Sequence, residues 1–185
     1  IRRPITNAEK NDYMRVTLFV APYTVVIPPN NLYSLANLNI PIDDTHTAFH
    51  FIAYGGSTTP DQETWRKFCG AQVGIDLDKQ FQNSRKLENN YFQDRHTMKL
   101  GNFTGIPGIP NQDIVMWETM GPITDRSKDR IGASDVAILQ FRRSMLAAAR
   151  QMQKGGPAIG TIAPRIPLAT LLSFEGIVPK ETDWR

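Results

Sequence analysis

The sequence predicts an α+β fold, with an antiparallel sheet built first and helices added after it. Two observations carry this reading. Over the first 55 residues, β-branched and aromatic residues recur with period two and are interrupted by Pro, Gly and Asn or Asp clusters. Strands joined so briefly pair antiparallel, because a parallel return needs a crossover of about a dozen residues or more. Beyond residue 59 the apolar spacing changes to three and four, the period of an amphipathic helix.

The elements follow in order. Tyr13, Arg15, Thr17 and Phe19 alternate with Met14, Val16, Leu18 and Val20 in a first strand. Thr24 to Ile27 is a second, closed by the breaker Pro28-Pro29-Asn30-Asn31. Leu32 to Ile40 and His46 to Tyr54 are two more, separated by Pro41-Ile42-Asp43-Asp44. Thr59-Pro60-Asp61-Gln62 starts a helix, with Thr59 as N-cap and Pro60 at the first helical position. Its expected face is Trp65, Phe68, Cys69 and Gln72. Asp76 to Asn90 is polar and reads as a loop or an exposed arm, and Tyr91 to Leu100 as a short helix stopped by Gly101. Phe103 to Pro110 is turn-rich and unsuited to a central strand. Asn111 to Met120 is helical, and Gly121-Pro122 ends it. Ser134 caps a longer helix to Gln153, with Ile138, Phe141, Met145, Ala149 and Met152 on its apolar face. The organisation expected is therefore a main portion over 1–153 and a tail over 154–185. The tail is too rich in Gly and Pro for a regular element. It nevertheless carries Ile166, Leu168, Leu171, Leu172, Phe174 and Trp184, which need another surface to cover them.

Composition bounds the function. The chain has 185 residues, one ordinary domain or a piece of a larger one, and opens Ile1-Arg2-Arg3-Pro4 with no Met and no signal peptide. That opening leads us to expect residues upstream of Ile1. Hydrophobic residues are 41% and charged residues 21%, enough for a core. No apolar run approaches the ~18 residues of a membrane helix, so no membrane partner is expected. A single cysteine, Cys69, excludes an internal disulfide and fits a reducing, cytoplasmic location. It also excludes a zinc ribbon or an iron–sulfur cluster held by this chain alone. The net charge of +3 is spread in alternating pairs such as Asp125-Arg126 and Asp129-Arg130. Such pairs form a solvated face, or a surface for an acidic partner, rather than a phosphate-tracking patch, and nucleic acid is not an expected partner.

Asp113 is the most informative residue. Met116, Trp117 and Met120 follow it at plus 3, plus 4 and plus 7, so it shares their helical face. Two readings stay open. If that apolar stripe packs inward, the carboxylate must be paired, hydrogen-bonded or bound to a cation. Alternatively, it is a first-turn aspartate stabilised by the helix dipole, which the residues alone favour. His46 and His50 are four apart, but in a strand that places them about 13 Å from one another, too far for one metal. His96 beside Asp94-Arg95 reads as an ion-paired or hydrogen-bonded histidine. Asn102-Phe103-Thr104 matches a glycosylation acceptor without other signs of secretion. There is no phosphate loop and no nucleophile elbow.

Three stretches together carry a family resemblance: Gly105-Ile106 with Asn111-Gln112-Asp113; Trp117-Glu118-Thr119-Met120-Gly121-Pro122-Ile123 with Asp125-Arg126; and Gly132-Ala133-Ser134-Asp135 with Arg142-Arg143. So do Arg2-Arg3-Pro4, Phe19-Val20-Ala21-Pro22, Pro41-Ile42-Asp43-Asp44-Thr45-His46 and Val178-Pro179-Lys180. In their order and spacing the chain resembles the C-terminal part of the oxygenase α subunit of Rieske non-haem iron aromatic-ring-hydroxylating dioxygenases, within them the phthalate 4,5-dioxygenase group. The resemblance implies a helix-grip-like catalytic domain, a curved antiparallel sheet packed around long helices. It implies one mononuclear Fe(II) held by two histidines and a carboxylate, and it makes Asp113 that carboxylate.

The rest of the machinery lies outside this chain by the same resemblance. The two histidine ligands and the Cys and His ligands of a Rieske 2Fe-2S cluster are upstream, in a missing N-terminal part, so the piece alone is expected to be inactive. Electrons come from NAD(P)H through a separate reductase. The implied reaction is aromatic catabolism of the phthalate-degradation type, inserting both atoms of O2 into an aromatic carboxylic acid to give a cis-dihydrodiol. The implied assembly is a trimer or stacked trimers, with the tail packing on its own and a neighbouring subunit. Phe103, Ile106 and Ile109, near Asp113 in sequence, are candidate substrate-pocket residues, with ordinary core packing as the other reading. Arg2 and Arg3 are candidate donors to a substrate carboxylate, since guanidinium grips carboxylates in a two-pronged way. Two alternatives stand: a Rieske monooxygenase or O-demethylase of aromatic acids, and a non-catalytic ligand-binding helix-and-sheet domain.

Overall fold

The structure, a computed structural model, describes residues 1–6, 8–28, 33–162, 167 and 170–183. Pro29, Asn30, Asn31, Leu32, Ile166, Leu168 and Trp184, which figure in the expectations above, lie outside the described residues. The element order is β1 (Arg2–Pro4), β2 (Asn11–Val16), β3 (Leu18–Val20), β4 (Thr24–Ile27), β5 (Ser34–Pro41), β6 (Thr47–Tyr54), α1 (Gln62–Cys69), α2 (Arg95–Lys99), α3 (Ile109–Glu118), α4 (Val136–Gln153) and β7 (Phe174–Pro179), with short 3-10 turns between. The expected α+β class with antiparallel pairing is what the chain adopts. It divides into two units, one of Ile1–Thr58 with Lys128–Arg185, the other of Thr59–Ser127.

The first unit holds two antiparallel sheets, ordered β1-β2-β7 and β3-β4-β5-β6. The single strand expected over Tyr13 to Val20 is in fact two. Val16 pairs with Phe174 in one sheet, and Leu18 pairs with Val26 in the other. Period two runs through the switch, so alternation alone does not reveal it. The tail expectation is also corrected, because residues 174–179 form β7 in full register with β2, from Asn11 opposite Pro179 to Val16 opposite Phe174. Gly176 and Pro179 hide this strand in the sequence. Pro179 is tolerated because it ends the strand at the edge of its sheet. Arg15 stands opposite Glu175 at 3.5 Å, and the Tyr13 hydroxyl donates to Glu175 Oε1 at 2.6 Å, an opposite-charge and aromatic set across the ladder. Met14 and Val178 point to the covered side.

In the four-stranded sheet, β5 is interior and supplies the buried Leu35 and Ala36, while β6 is an edge. Asp43 closes the turn between them by accepting from the Thr45 and His46 amides at 2.8 Å each. Ser173 Oγ donates to Ile27 O at 2.6 Å and so links the segment before β7 to the end of β4. The α4 helix starts after a 3-10 turn whose closing bond is Gly132 N to Asp135 Oδ2 at 2.9 Å, so Asp135 rather than Ser134 closes the start. No α4 side chain is buried. Of its expected face, Ile138, Phe141 and Met152 are exposed, although Phe141 meets Phe19 edge-on with ring centroids 4.8 Å apart.

The second unit carries α1, α2 and α3. Asp61, not Thr59, caps α1, accepting from Thr64 N at 2.9 Å. The polar stretch Asp76 to Asn90 is not an exposed arm. Asp76 and Arg85 are each buried and pair at 2.7 Å. Two charges that neutralise one another read as a solvated loop in the sequence, because pairing across nine residues leaves no periodic mark. The helix expected over Tyr91 to Leu100 is only α2. Asn90, Tyr91 and Phe92 take left-handed backbone values, which stops a continuous helix from forming there. Asp94 then caps α2 through the His96 and Thr97 amides at 2.8 and 3.2 Å.

Candidate functional site

The candidate site is the outer face of α3, and the second unit is built to hold that helix from behind. The chain enters α3 through Gly108 at φ +82°, pressed against the end of α1. A Cβ at Gly108 would lie 2.1 Å from the Cys69 carbonyl oxygen, so only glycine fits. Asn111, 3% exposed, then fastens the first turn. Its Nδ2 donates to Gly70 O at 2.9 Å and to Pro107 O at 3.0 Å, and its Oδ1 accepts from Asn83 Nδ2 at 3.0 Å. Leaving one such buried partner unsatisfied costs about 1–3 kcal/mol. Beyond it, Asn83 Oδ1 accepts from Arg85 N at 2.8 Å, and Arg85 is held by Asp76. At the far end of α3, Tyr91 is buried; that burial and its hydrogen bond to Glu118 push the phenol above its ordinary value.

This anchoring sets where Asp113 lies. The helix begins at Ile109, two residues earlier than expected, so Asp113 is its fifth residue and not a first-turn cap. The face that packs inward is Pro110, Asn111, Ile114 and Val115. Asp113 is therefore exposed, and the face it shares is exposed with it: Ile109 at 55%, Met116 at 65%, Trp117 at 43% and Met120 at 46%. The expectation of an inward apolar stripe is corrected. A helix apolar on both sides carries no signal for which side is covered. Among the described residues, no hydrogen bond or ion pair engages the Asp113 carboxylate. It is a hard oxygen donor left unused by the fold, set among apolar side chains. That chemistry fits one ligand of a three-ligand iron site. The described residues contain no group of three metal-ligating side chains.

The other candidates are placed unequally. Phe103 is 93% exposed and Ile109 lies on the Asp113 face, whereas Ile106 is 6% exposed, packed in its own unit. Arg2 belongs to the first unit and is fully engaged. Its Nε contacts Asp12 at 2.8 Å, and its terminal nitrogens donate to the carbonyls of Thr182, Pro179 and Lys180. Arg3 lies over the Tyr13 ring at 4.8 Å. Both arginines tie β1 and β2 together, and a substrate carboxylate would have to displace those contacts. His46 contacts Asp43 at 2.9 Å within a turn, and His50 is exposed on β6. In the acidic-basic segment, Asp125 caps Ser127 and Asp129 pairs with Arg142 at 2.8 Å, as a surface network does. Sequence reasoning missed Asn111, Asn83, Asp76 and Arg85. The close run of glycine, proline and asparagine before α3 is the one signal that pointed there.

Comparison with known proteins gives a consistent picture. The family described as LigXa C-terminal domain like matches residues 1–185. The chain is 59% identical to the phthalate 4,5-dioxygenase oxygenase subunit of Pseudomonas putida, over all of this chain and 42% of that protein. It is 30% identical to the 3-chlorobenzoate-3,4-dioxygenase oxygenase subunit of Comamonas testosteroni, over 95% of this chain and 44% of that one. The chain thus spans about two-fifths of the length of the curated relatives it matches.

Proposed function

Because the chain belongs to the LigXa C-terminal domain-like family, we propose that it is the C-terminal part of the oxygenase subunit of an aromatic-ring dioxygenase acting on a phthalate-like aromatic carboxylic acid. The observation that carries this is the 59% identity, along the whole chain, to a phthalate 4,5-dioxygenase oxygenase subunit. The unused Asp113 carboxylate on the exposed apolar face of α3 supports the reading. Asp113 is the carboxylate ligand of a mononuclear Fe(II), whose two histidine ligands lie in the part of the protein outside this chain. The iron, when bound and fed with electrons by a Rieske cluster and a separate reductase, supplies the dioxygen chemistry.

This chain's own residues do the positioning. Asp113 contributes a negative charge that offsets part of the metal's, and its rigid helix fixes where that charge sits. Ile109 and Phe103 are apolar, exposed and near Asp113 in sequence, and they wall the pocket for an aromatic ring, excluding water from it. Ile106 supports them from within the unit. The exposed apolar residues of α3 and α4 are covered by the rest of the subunit and by neighbouring subunits in a trimer or stacked trimers. A reductase is the remaining partner.

The overall reaction takes the aromatic acid, O2, NAD(P)H and a proton to the cis-dihydrodiol and NAD(P)+. Supplying the full-length protein with reductase, NAD(P)H, phthalate and 18O2 tests it. The expected product is a cis-dihydrodiol carrying two labelled oxygens. A product with a single label would replace the reading with monooxygenation, and release of formaldehyde from a methoxylated acid would replace it with demethylation. Binding of the acid without turnover would leave a ligand-binding domain.

A further inference from the structure

We infer that Asn111 is a positioning residue for the Asp113 carboxylate, acting through a buried polar latch that sets the rotation of α3 about its own axis. The inference rests on the assignment of Asp113 as an iron ligand made above. A ligand constellation has to be held to within about 0.5 Å and 10–20°, so something must fix the angle at which α3 presents its carboxylate.

Packing alone does not do so here. The helix is apolar on both sides, with Ile114 and Val115 inward and Ile109, Met116, Trp117 and Met120 outward, so turning it exchanges one apolar face for another at little cost. Its start has no side-chain cap either. Asn111 supplies the missing directionality. Its amide N–H groups are spent on the Gly70 and Pro107 carbonyls, and its oxygen accepts from Asn83. Two of these bonds, to Gly70 and Asn83, reach other segments and tie the first turn of α3 to one orientation, while the third is local, to the carbonyl four residues back. Two residues along a helix amount to about 200° of turn. With Asn111 anchored inward, Asp113 is therefore aimed outward.

The latch is itself stiff. The Asn83 side chain is oriented by the Arg85 amide, and Arg85 is locked to Asp76 in a buried pair at 2.7 Å. On the other side, Gly70 leaves no slack, since a Cβ there would sit 2.6 Å from Asn111 Nδ2. None of the hydrogen bonds of the Asn111 side chain goes to Asp113, so its effect on that carboxylate is exerted through the helix.

The test uses the full-length oxygenase subunit and four proteins: wild type, Asp113→Ala, Asn111→Ala and Asn83→Ala. Three quantities are measured on each: the affinity for added Fe(II) after selective removal of the mononuclear iron, the electron paramagnetic resonance line shape of its nitric oxide complex, and the melting temperature. Asn111→Ala is expected to lower Fe(II) affinity by about 10-fold or more and to change the line shape, with the Rieske absorbance intact. Asn83→Ala, which removes one of the three bonds, is expected to do the same more weakly. Should Asn111→Ala not fold, Asn83→Ala decides on the same readouts. Loss of melting temperature with unchanged affinity and line shape would reduce Asn111 to a purely structural residue and overturn the inference. Asp113→Ala separates the two claims: iron retained in it overturns the ligand assignment and the inference with it. Iron lost there but kept unchanged in both asparagine variants overturns the inference alone.

Discussion

At the scale of single residues, the fold treats its polar groups in two ways. Some are consumed by local structure. Asp43 accepts the Thr45 amide and contacts the His46 ring, and these bonds hold its carboxyl down to about 2. A carboxyl whose folded value is depressed adds stability that is present above the ordinary carboxylate range and is lost as pH falls through the folded value. The β5–β6 turn should therefore stay closed down to about pH 4 and open between about 4 and 2. A carboxyl carbon titration of Asp43 by NMR should show a midpoint near 2, and a midpoint near 4 would mean that the turn bonds are absent in solution. Cys69 is the opposite case, a thiol that burial pushes up to about 11. At pH 8 its thiolate is roughly one part in a thousand, so iodoacetamide should label it only after unfolding. Rapid labelling of the native protein would show that α1 does not sit on Asn111 as described.

At the scale of elements, the second unit contains two contacts that no helical or strand period announces. One is the Asp76–Arg85 pair. Removing one partner of a buried pair costs about 3–5 kcal/mol, so Asp76→Ala should lower the denaturation midpoint of this unit markedly. A change below about 0.5 kcal/mol would mean that the pair is solvated. The other is the contact of Gly108 with the Cys69 carbonyl, where Gly108→Ala meets both a left-handed backbone and a 2.1 Å clash. That variant should destabilise the unit by more than about 1 kcal/mol.

These two contacts also mark the limit of what the sequence told. β4, β6, α1 and α3 were legible, because period and breaker residues report local structure. The switch of sheets at Thr17 and the strand β7 were not, because each depends on a partner far along the chain, and the buried pair was not, because two opposite charges nine residues apart read as a solvated loop. β7 pairs with residues over 150 positions away, and its own Gly176 and Pro179 argue against a strand. In the candidate site, Asp113 was legible as a residue of interest, but its orientation was not. That orientation is set by Asn111 and Gly70, which lie 41 residues apart.

At the scale of the whole molecule, two features point outward. The α4 helix buries none of its side chains, and Leu172 and Ile177 near the C-terminus are 79% and 67% exposed. We propose that other protein covers this apolar surface. Deleting residues 155–185 from the full-length protein should lower its oligomer mass by light scattering, and it also strips β2 of its β7 partner, so the melting temperature should fall. An unchanged mass and melting temperature would make this segment a passive appendage. The central claim, that this chain carries the carboxylate arm of a mononuclear iron site, is tested most directly by metal analysis of full-length Asp113→Ala. Among the described residues Asp113 makes no bond that the fold needs, so the variant should melt as wild type freed of its mononuclear iron does. It should keep the two irons of its Rieske cluster by absorbance and lose the mononuclear iron together with turnover. Full mononuclear iron occupancy with normal product formation would contradict the account.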